Sequence, residues 1–188
     1  MKRAETILGG LNELHGSTAA AETEVEADLV QLCTFQVGPE SYVLDIMRIR
    51  EIINPLPVTP VRRSSPIVEG VIDLRGEVIP VVDLRRMLGV EVSERTRSTK
   101  QIIASVGRRV IGLVVDSMGR VIVVPKREIR QLPALNPEEG RVFPGVVNHL
   151  GRLHLLLNVR ALLDEEGLSS EILSTLRKRA LSTGKGRR

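Results

Sequence analysis

A pattern of nineteen residues occurs twice in this chain. Residues 70–88 lie over residues 145–163 at a constant spacing of 75, without a gap. Gly70 falls on Gly145, Gly76 on Gly151, Asp83 on Asn158, Arg85 on Arg160 and Leu88 on Leu163. A weaker correspondence precedes it, with Gly38 and Leu44 on Gly107 and Leu113 at a spacing of 69. Self-similarity at this scale means one supersecondary unit used twice. Each copy reads as strand, tight glycine turn, strand and capped helical turn. Asp83 and Asn158 each offer a side-chain oxygen to the orphan N–H groups of the turn that follows. Gly89 and Gly167 are placed to end those turns with positive φ.

The material for the interior narrows the fold. With no Trp, one Tyr (Tyr42) and two Phe (Phe35, Phe143), the core must be built from Val, Ile and Leu, which are stiff and favour strands. Apolar runs bounded by turn residues predict strands at 29–37, 42–46 with an extended continuation to 53, 67–74, 77–82, 101–106, 109–116, 120–124, 142–149 and 152–157. The run from Val78 to Val82 is apolar on both faces, as in a strand enclosed on both sides. Pro80 within it cannot donate to a ladder, so its side of that strand is expected to be unpaired. Five or so short strands per copy suit small closed barrels, which leave no exposed edge. The expected fold is all-β: two such barrels, one per copy, packed over a shared Val/Ile/Leu layer, with short capped helical turns.

The two-barrel unit is expected over residues 29–165. Residues 1–28 read as an N-terminal extension, with Ile7, Leu8, Leu11 and Leu14 on one helical face and then an acidic linker carrying Glu22, Glu24, Glu26 and Asp28. Residues 166–188 read as a C-terminal helix with Ile172, Leu173, Leu176 and Ala180 on one face, followed by a basic tail. The net charge of +4 belongs to that tail. Six of the 27 Lys and Arg lie in residues 177–188, which leaves 21 against 23 Asp and Glu in residues 1–176. The body has no basic footprint of the kind a nucleic-acid domain shows, so nucleic acid is an unlikely partner. The remaining route to it is the tail, whose deletion would then abolish salt-sensitive DNA binding.

Catalytic chemistry is hard to assemble. Cys33 is the single cysteine and reads as a small buried hydrophobe. His149 and His154 flank a hairpin turn, His15 lies in the extension, and no third or fourth ligand stands near them, so no metal site is expected. There is no nucleophile elbow and no phosphate loop. Asp45, Glu51, Asp73, Asp83 and Asp116 are scattered at strand ends, and Glu69 and Glu77 read as solvated charges. The reading is a non-enzyme with no cofactor and no small-molecule substrate. The N-terminus lacks the apolar core of a secretory signal, and no apolar run approaches the ~18 residues of a membrane span. A cytoplasmic protein is expected.

Gly70-Val71-Ile72-Asp73-Leu74-Arg75-Gly76, followed by Ile79-Pro80-Val81-Val82-Asp83-Leu84-Arg85, closely resembles the signature of the CheW family of bacterial chemotaxis coupling proteins. The resemblance continues upstream through Tyr42–Ile46 and Ile49–Ile52 and downstream through Ile111–Asp116 and Leu157–Val159, covering about residues 29–165. It implies two SH3-like five-stranded barrels. It also implies a two-component signalling adaptor that links the histidine kinase CheA, through its regulatory domain, to the cytoplasmic tips of methyl-accepting chemoreceptors at membrane-associated arrays. Receptors of this family dock in the groove between the barrels. The family's receptor-facing positions fall on Ile49, Glu51, Thr59 and Arg75, with Glu51 and Arg75 placed to pair across the first barrel. The kinase-facing residues are not legible. The second copy departs from the pattern, reading His149-Leu150-Gly151 at the turn. A coupling protein of a non-flagellar chemosensory pathway is the alternative within the same family.

Overall fold

The computed structural model describes residues 28–61, 67–92, 94–132 and 137–165. The amphipathic stretch expected in the extension, His15, the basic tail and Gly167 all lie outside those residues. Among the described residues ten strands form two five-stranded sheets. In chain order they are β1 Leu29–Val37, β2 Glu40–Asp45, β3 Ile49–Ile53, β4 Val68–Leu74, β5 Glu77–Asp83, β6 Lys100–Val106, β7 Arg109–Val115, β8 Ser117–Pro125, β9 Gly145–His149 and β10 Arg152–Leu156. The described residues also form three short α-helices, α1 Leu84–Met87, α2 Pro137–Val142 and α3 Val159–Glu165.

One sheet has the order β8-β1-β2-β10-β9 and the other β3-β6-β7-β5-β4. This corrects the expectation of one barrel per copy. The first barrel takes β1 and β2 from the first copy and β8, β9 and β10 from the second, and the second barrel does the reverse. Each copy therefore inserts its leading hairpin into the three trailing strands of the other. The exchange is made along two short parallel seams. In the first barrel Leu155 and Leu156 lie opposite Tyr42 and Val43. In the second, Val81, Val82 and Asp83 lie opposite Gly112, Leu113 and Val114. The spacings of 69 and 75 carry Tyr42 to Ile111 and Leu155 to Pro80. The second seam begins one residue late because Pro80 has no N–H to contribute. On its other side Pro80 faces Val71, whose N–H and C=O are both engaged by Thr59 at 3.0 and 2.8 Å. The missing donor thus falls outside both ladders, as its chemistry requires.

Each sheet is closed by one isolated bridge. Thr59 pairs with Val71 in the second barrel, and Arg130 pairs with Val146 in the first. The residue before each partner is the first repeated glycine, and the bridge explains it. A Cβ on Gly70 would stand 2.2 Å from the Thr59 carbonyl oxygen, and one on Gly145 would stand 2.9 Å from that of Arg130. Only a residue without a side chain lets the closing segment approach.

Strands enclosed on both faces alternate between two interiors. Val43, Leu32, Ile122, Val124 and Val147 fill the first barrel. Ile72, Ile79, Val81, Ile103 and Val114 fill the second. Their neighbours Phe35, Tyr42, Leu44, Val82, Ile102, Ile111 and Leu113 point the other way, into the layer between the barrels. That layer also holds all three aromatic residues, with Phe35 stacked on Tyr42 at 5.7 Å and Phe143 tilted against Tyr42 at 6.1 Å. The aliphatic layer expected from composition is thus centred on rings, and the apolar clusters inside the barrels are aliphatic. The Tyr42 hydroxyl reaches the Glu40 carboxylate. Burial and that acceptor hold its proton on well beyond the ordinary phenol range.

The caps form as their residues dictate. Asp83 Oδ1 accepts from Arg85 N at 2.9 Å at the start of α1, and Asn158 Oδ1 accepts from Ala161 N at 3.3 Å at the start of α3. Two departures from the pattern put helix where strand was expected. Val142 ends α2 instead of opening a strand. The extended run from Tyr42 to Ile53 is broken by a 3-10 turn at Ile46–Arg48, capped by Asp45 Oδ1 at 2.9 Å from Met47 N. That turn carries the chain from one barrel to the other.

Candidate functional site

Arg75 and Gly76 form the tip of the β4–β5 hairpin, both in the left-handed region with φ of 54° and 87°. A two-residue turn with both φ positive matches the twist of the flanking strands. Asp73 Oδ1 steadies it by accepting from Gly76 N at 2.7 Å. The turn throws the Arg75 side chain outward, where 77% of it remains exposed. Its guanidinium is nonetheless held. Nη1 and Nη2 donate to the two Glu51 carboxylate oxygens at 3.1 and 3.0 Å. This fork-to-fork geometry leaves the other guanidinium N–H groups directed at solvent in a fixed plane.

A second ion pair lies on the same two elements. Arg50 Nη1 donates to Glu77 Oε2 at 3.2 Å, with both side chains about half exposed. Glu77 is thus paired, and so is Glu69, with Arg95, where the sequence suggested solvated charges.

The four residues singled out by resemblance are only partly brought together. Glu51 and Arg75 meet, but across the second barrel and not the first, because β3, β4 and β5 are built into it. Ile49 lies at the start of β3 opposite Ala104, half-buried against the layer between the barrels. Thr59 is the closing bridge of the second barrel. Its backbone is fixed to Val71 while its side chain is exposed.

Between the barrels runs a groove of about 350 Å³. Leu44, Asp45 and Arg48 line it from the first barrel and the 3-10 turn, and Ala104 to Gly107 from the β6–β7 hairpin of the second. Pro144 and the segment 156–160 complete the wall. Beside it Met47 is the most exposed large apolar residue of the turn, at 83%. An unbranched, polarizable side chain in that setting adapts to varied apolar partners. The sequence reading passed over Met47 and Arg48 because it ran the strand through them. The available signal was Asp45, a helix-capping residue at the end of an apolar run.

His154 is buried, and its Nδ1 lies 2.7 Å from Ser41 Oγ across the first seam. Burial lowers its pKa, helped by the neighbouring charge of Arg152 and by His149. Cys33 is buried in the first barrel and its thiol pKa is raised by that burial. Among the described residues no three His, Cys, Asp or Glu side chains gather around one point, and no helix is long and apolar enough to cross a membrane.

Two like barrels, a groove between them and an oriented charge cluster at one hairpin tip define a binding module that works through its surfaces. The chain belongs to the CheW family: the CheW-like domain model matches residues 31–167. It is 35% identical to the chemotaxis protein CheW of Rhizobium meliloti over 137 residues, 72% of this chain and 88% of that one. It is 29% identical to the protein FrzA of Myxococcus xanthus over 167 residues, covering 87% of this chain and 94% of FrzA. The fold matches the crystal structure of the scaffolding protein TtCheW from Thermoanaerobacter tengcongensis with a TM-score of 0.67 and 24% identity, over 71% of this chain and 92% of that one. It is a coupling scaffold of chemotaxis signal transduction.

Proposed function

We propose that residues 29–165 couple the regulatory domain of a CheA-type histidine kinase to the cytoplasmic tips of chemoreceptors, by binding and without catalysis, at receptor arrays in the cytoplasm. The observation that carries the receptor half of this reading is the bidentate Glu51–Arg75 pair. An exposed pair of this kind contributes only about 0–1 kcal/mol to stability, so its value lies in presenting an oriented guanidinium to a partner. Ile49 and the exposed Thr59 are further receptor-facing positions of this reading, and Met47 and the groove between the barrels offer apolar surface to the same helical hairpin.

Titration of a receptor-tip hairpin and of a kinase regulatory domain into the full chain tests this. Both should form binary complexes. Glu51→Ala and Arg75→Ala should each weaken receptor binding about tenfold or more, the scale of a strong contact residue, while the thermal unfolding midpoint stays within a degree or two of the parent. Folded variants that bind the receptor tip as well as the parent would overturn the site. Failure of both binary complexes would overturn the function. The alternative, coupling in a non-flagellar chemosensory pathway, uses the same surfaces and is separated by which kinase copurifies with the chain.

A further inference from the structure

Arg50 and Glu51 are consecutive in a strand, where neighbouring side chains normally leave on opposite faces. Here both reach the same hairpin. The cause is a bulge: Ile49 lies opposite Ala104 and Glu51 opposite Ile103, so Arg50 has no partner of its own across the ladder. An extra residue of this kind re-aims the side chains beside it. The result is two ion pairs of opposite polarity side by side. The strand presents Arg50 then Glu51, and the hairpin answers with Glu77 and Arg75 on either side of Gly76.

The duplicated fold offers an internal control for what this quartet does. At the spacings of 69 and 75, Arg50 and Glu77 correspond to Gly119 and Arg152, and Glu51 and Arg75 correspond to Arg120 and Leu150. Neither ion pair can form there. The architecture is nevertheless kept. The register of β8 against β1 shifts at the equivalent place, between Cys33 and Phe35. The β9–β10 tip adopts the same turn, with φ of 53° at Leu150 and 79° at Gly151. Bulge, turn and closing bridge therefore stand without the charges. The quartet is an addition to one barrel, placed where exposed pairs contribute little to folding.

We propose that Arg50 and Glu77 are specificity-determining residues of the receptor-docking corner, fixing the order of charges that a receptor tip must match. The matching partner is a helical segment with an acid over Arg50 and a base over Glu77, beside whatever contacts Arg75. This inference rests on the docking role of Glu51 and Arg75, and goes beyond it by naming the residues that discriminate between receptor tips.

The full-length double variant Arg50→Glu/Glu77→Arg keeps an intramolecular pair and reverses its direction. Its unfolding midpoint should match the parent. Its affinity for a panel of receptor-tip hairpins, measured by titration calorimetry, should fall about tenfold for the tip the parent prefers, with the ranking of the panel altered and the difference shrinking at high salt, since exposed charges are screened. An unchanged affinity and ranking would overturn the inference. The uncharged pair Arg50→Gln/Glu77→Gln guards against a fold defect: it should lose part of the preference, and parent-like discrimination by that variant would equally overturn it. Parent-like binding by Glu51→Ala and Arg75→Ala would instead remove the docking site itself. Loss in those variants with parent-like discrimination in both double variants would remove only the role of Arg50 and Glu77.

Discussion

The two barrels repeat the same hairpins, bulge and closing bridge, and they diverge at three matched places. At the hairpin tip the second barrel carries Arg75 bound to Glu51, and the first carries Leu150, 85% exposed. At the seam the first barrel buries the polar pair Ser41 and His154, whereas the matched positions of the second are Val110 and Ile79, both apolar. At the closure the bridge hydrogen bonds are alike, 2.8 and 3.0 Å in each barrel, but a Cβ on Gly70 would stand closer to its neighbour than one on Gly145. Divergence after duplication has left the framework alone and changed the surface of one barrel and the seam of the other. The second barrel is apolar at its seam and charged outside. The first is polar within and apolar at its tip.

The largest test of this contrast is at the closures. Gly70→Ala must displace backbone, since the new Cβ would sit 2.2 Å from a carbonyl oxygen, and should cost about 3 kcal/mol or more. Gly145→Ala, with 2.9 Å to the matching atom, should cost about 1–3 kcal/mol. Urea unfolding of the two variants measures the difference, and equal losses would show that the two glycines are equally constrained.

The seams should separate by pH. The pKa of His154 is lowered by burial in the folded chain from an ordinary value of 6.5, so below about pH 6.5 the unfolded chain binds a proton that the folded chain refuses. Stability should be fully present above that pH and fall as the pH drops towards the folded value. His154→Ile, which copies the second barrel, should flatten that slope in thermal unfolding between pH 7.5 and 5. A slope that survives the substitution would place the acid sensitivity elsewhere.

The tips should give a smaller effect. Leu150 and Arg75 are both non-glycine residues with positive φ, a conformation that Asn tolerates better. Leu150→Asn and Arg75→Asn should each raise stability by up to about 1 kcal/mol, but only Arg75→Asn should weaken receptor binding. Smallest of all, Arg50→Ala and Glu77→Ala should change stability by about 0.5 kcal/mol or less, read from the midpoint of denaturant unfolding.

Much of the framework was legible from local chemistry. The run Leu29–Val37 is a strand with those limits, and so are the turns at Gly76 and Gly151 and the caps at Asp83 and Asn158, because each depends on a few neighbouring residues. The Glu51–Arg75 pairing was anticipated through resemblance, and its bidentate geometry came from the turn. The break at Ile46–Arg48 was missed because Ile46, Met47 and Ile49 continue an apolar run that reads as strand.

The repeat and its spacing were determined by sequence alone, since they are properties of the chain before it folds. So were the glycines that a tight approach demands and the proline that shortens a ladder. Which copy pairs with which was decided only by tertiary structure. A hairpin satisfies its own backbone equally well beside either set of trailing strands, and the choice falls to the layer between the barrels, where Phe143 joins Phe35 and Tyr42 of the first hairpin from a distant part of the chain. The charge corner is likewise a product of the fold. One extra residue in β3 turned Arg50 and Glu51 towards the same hairpin, and no periodicity in the sequence announces a bulge.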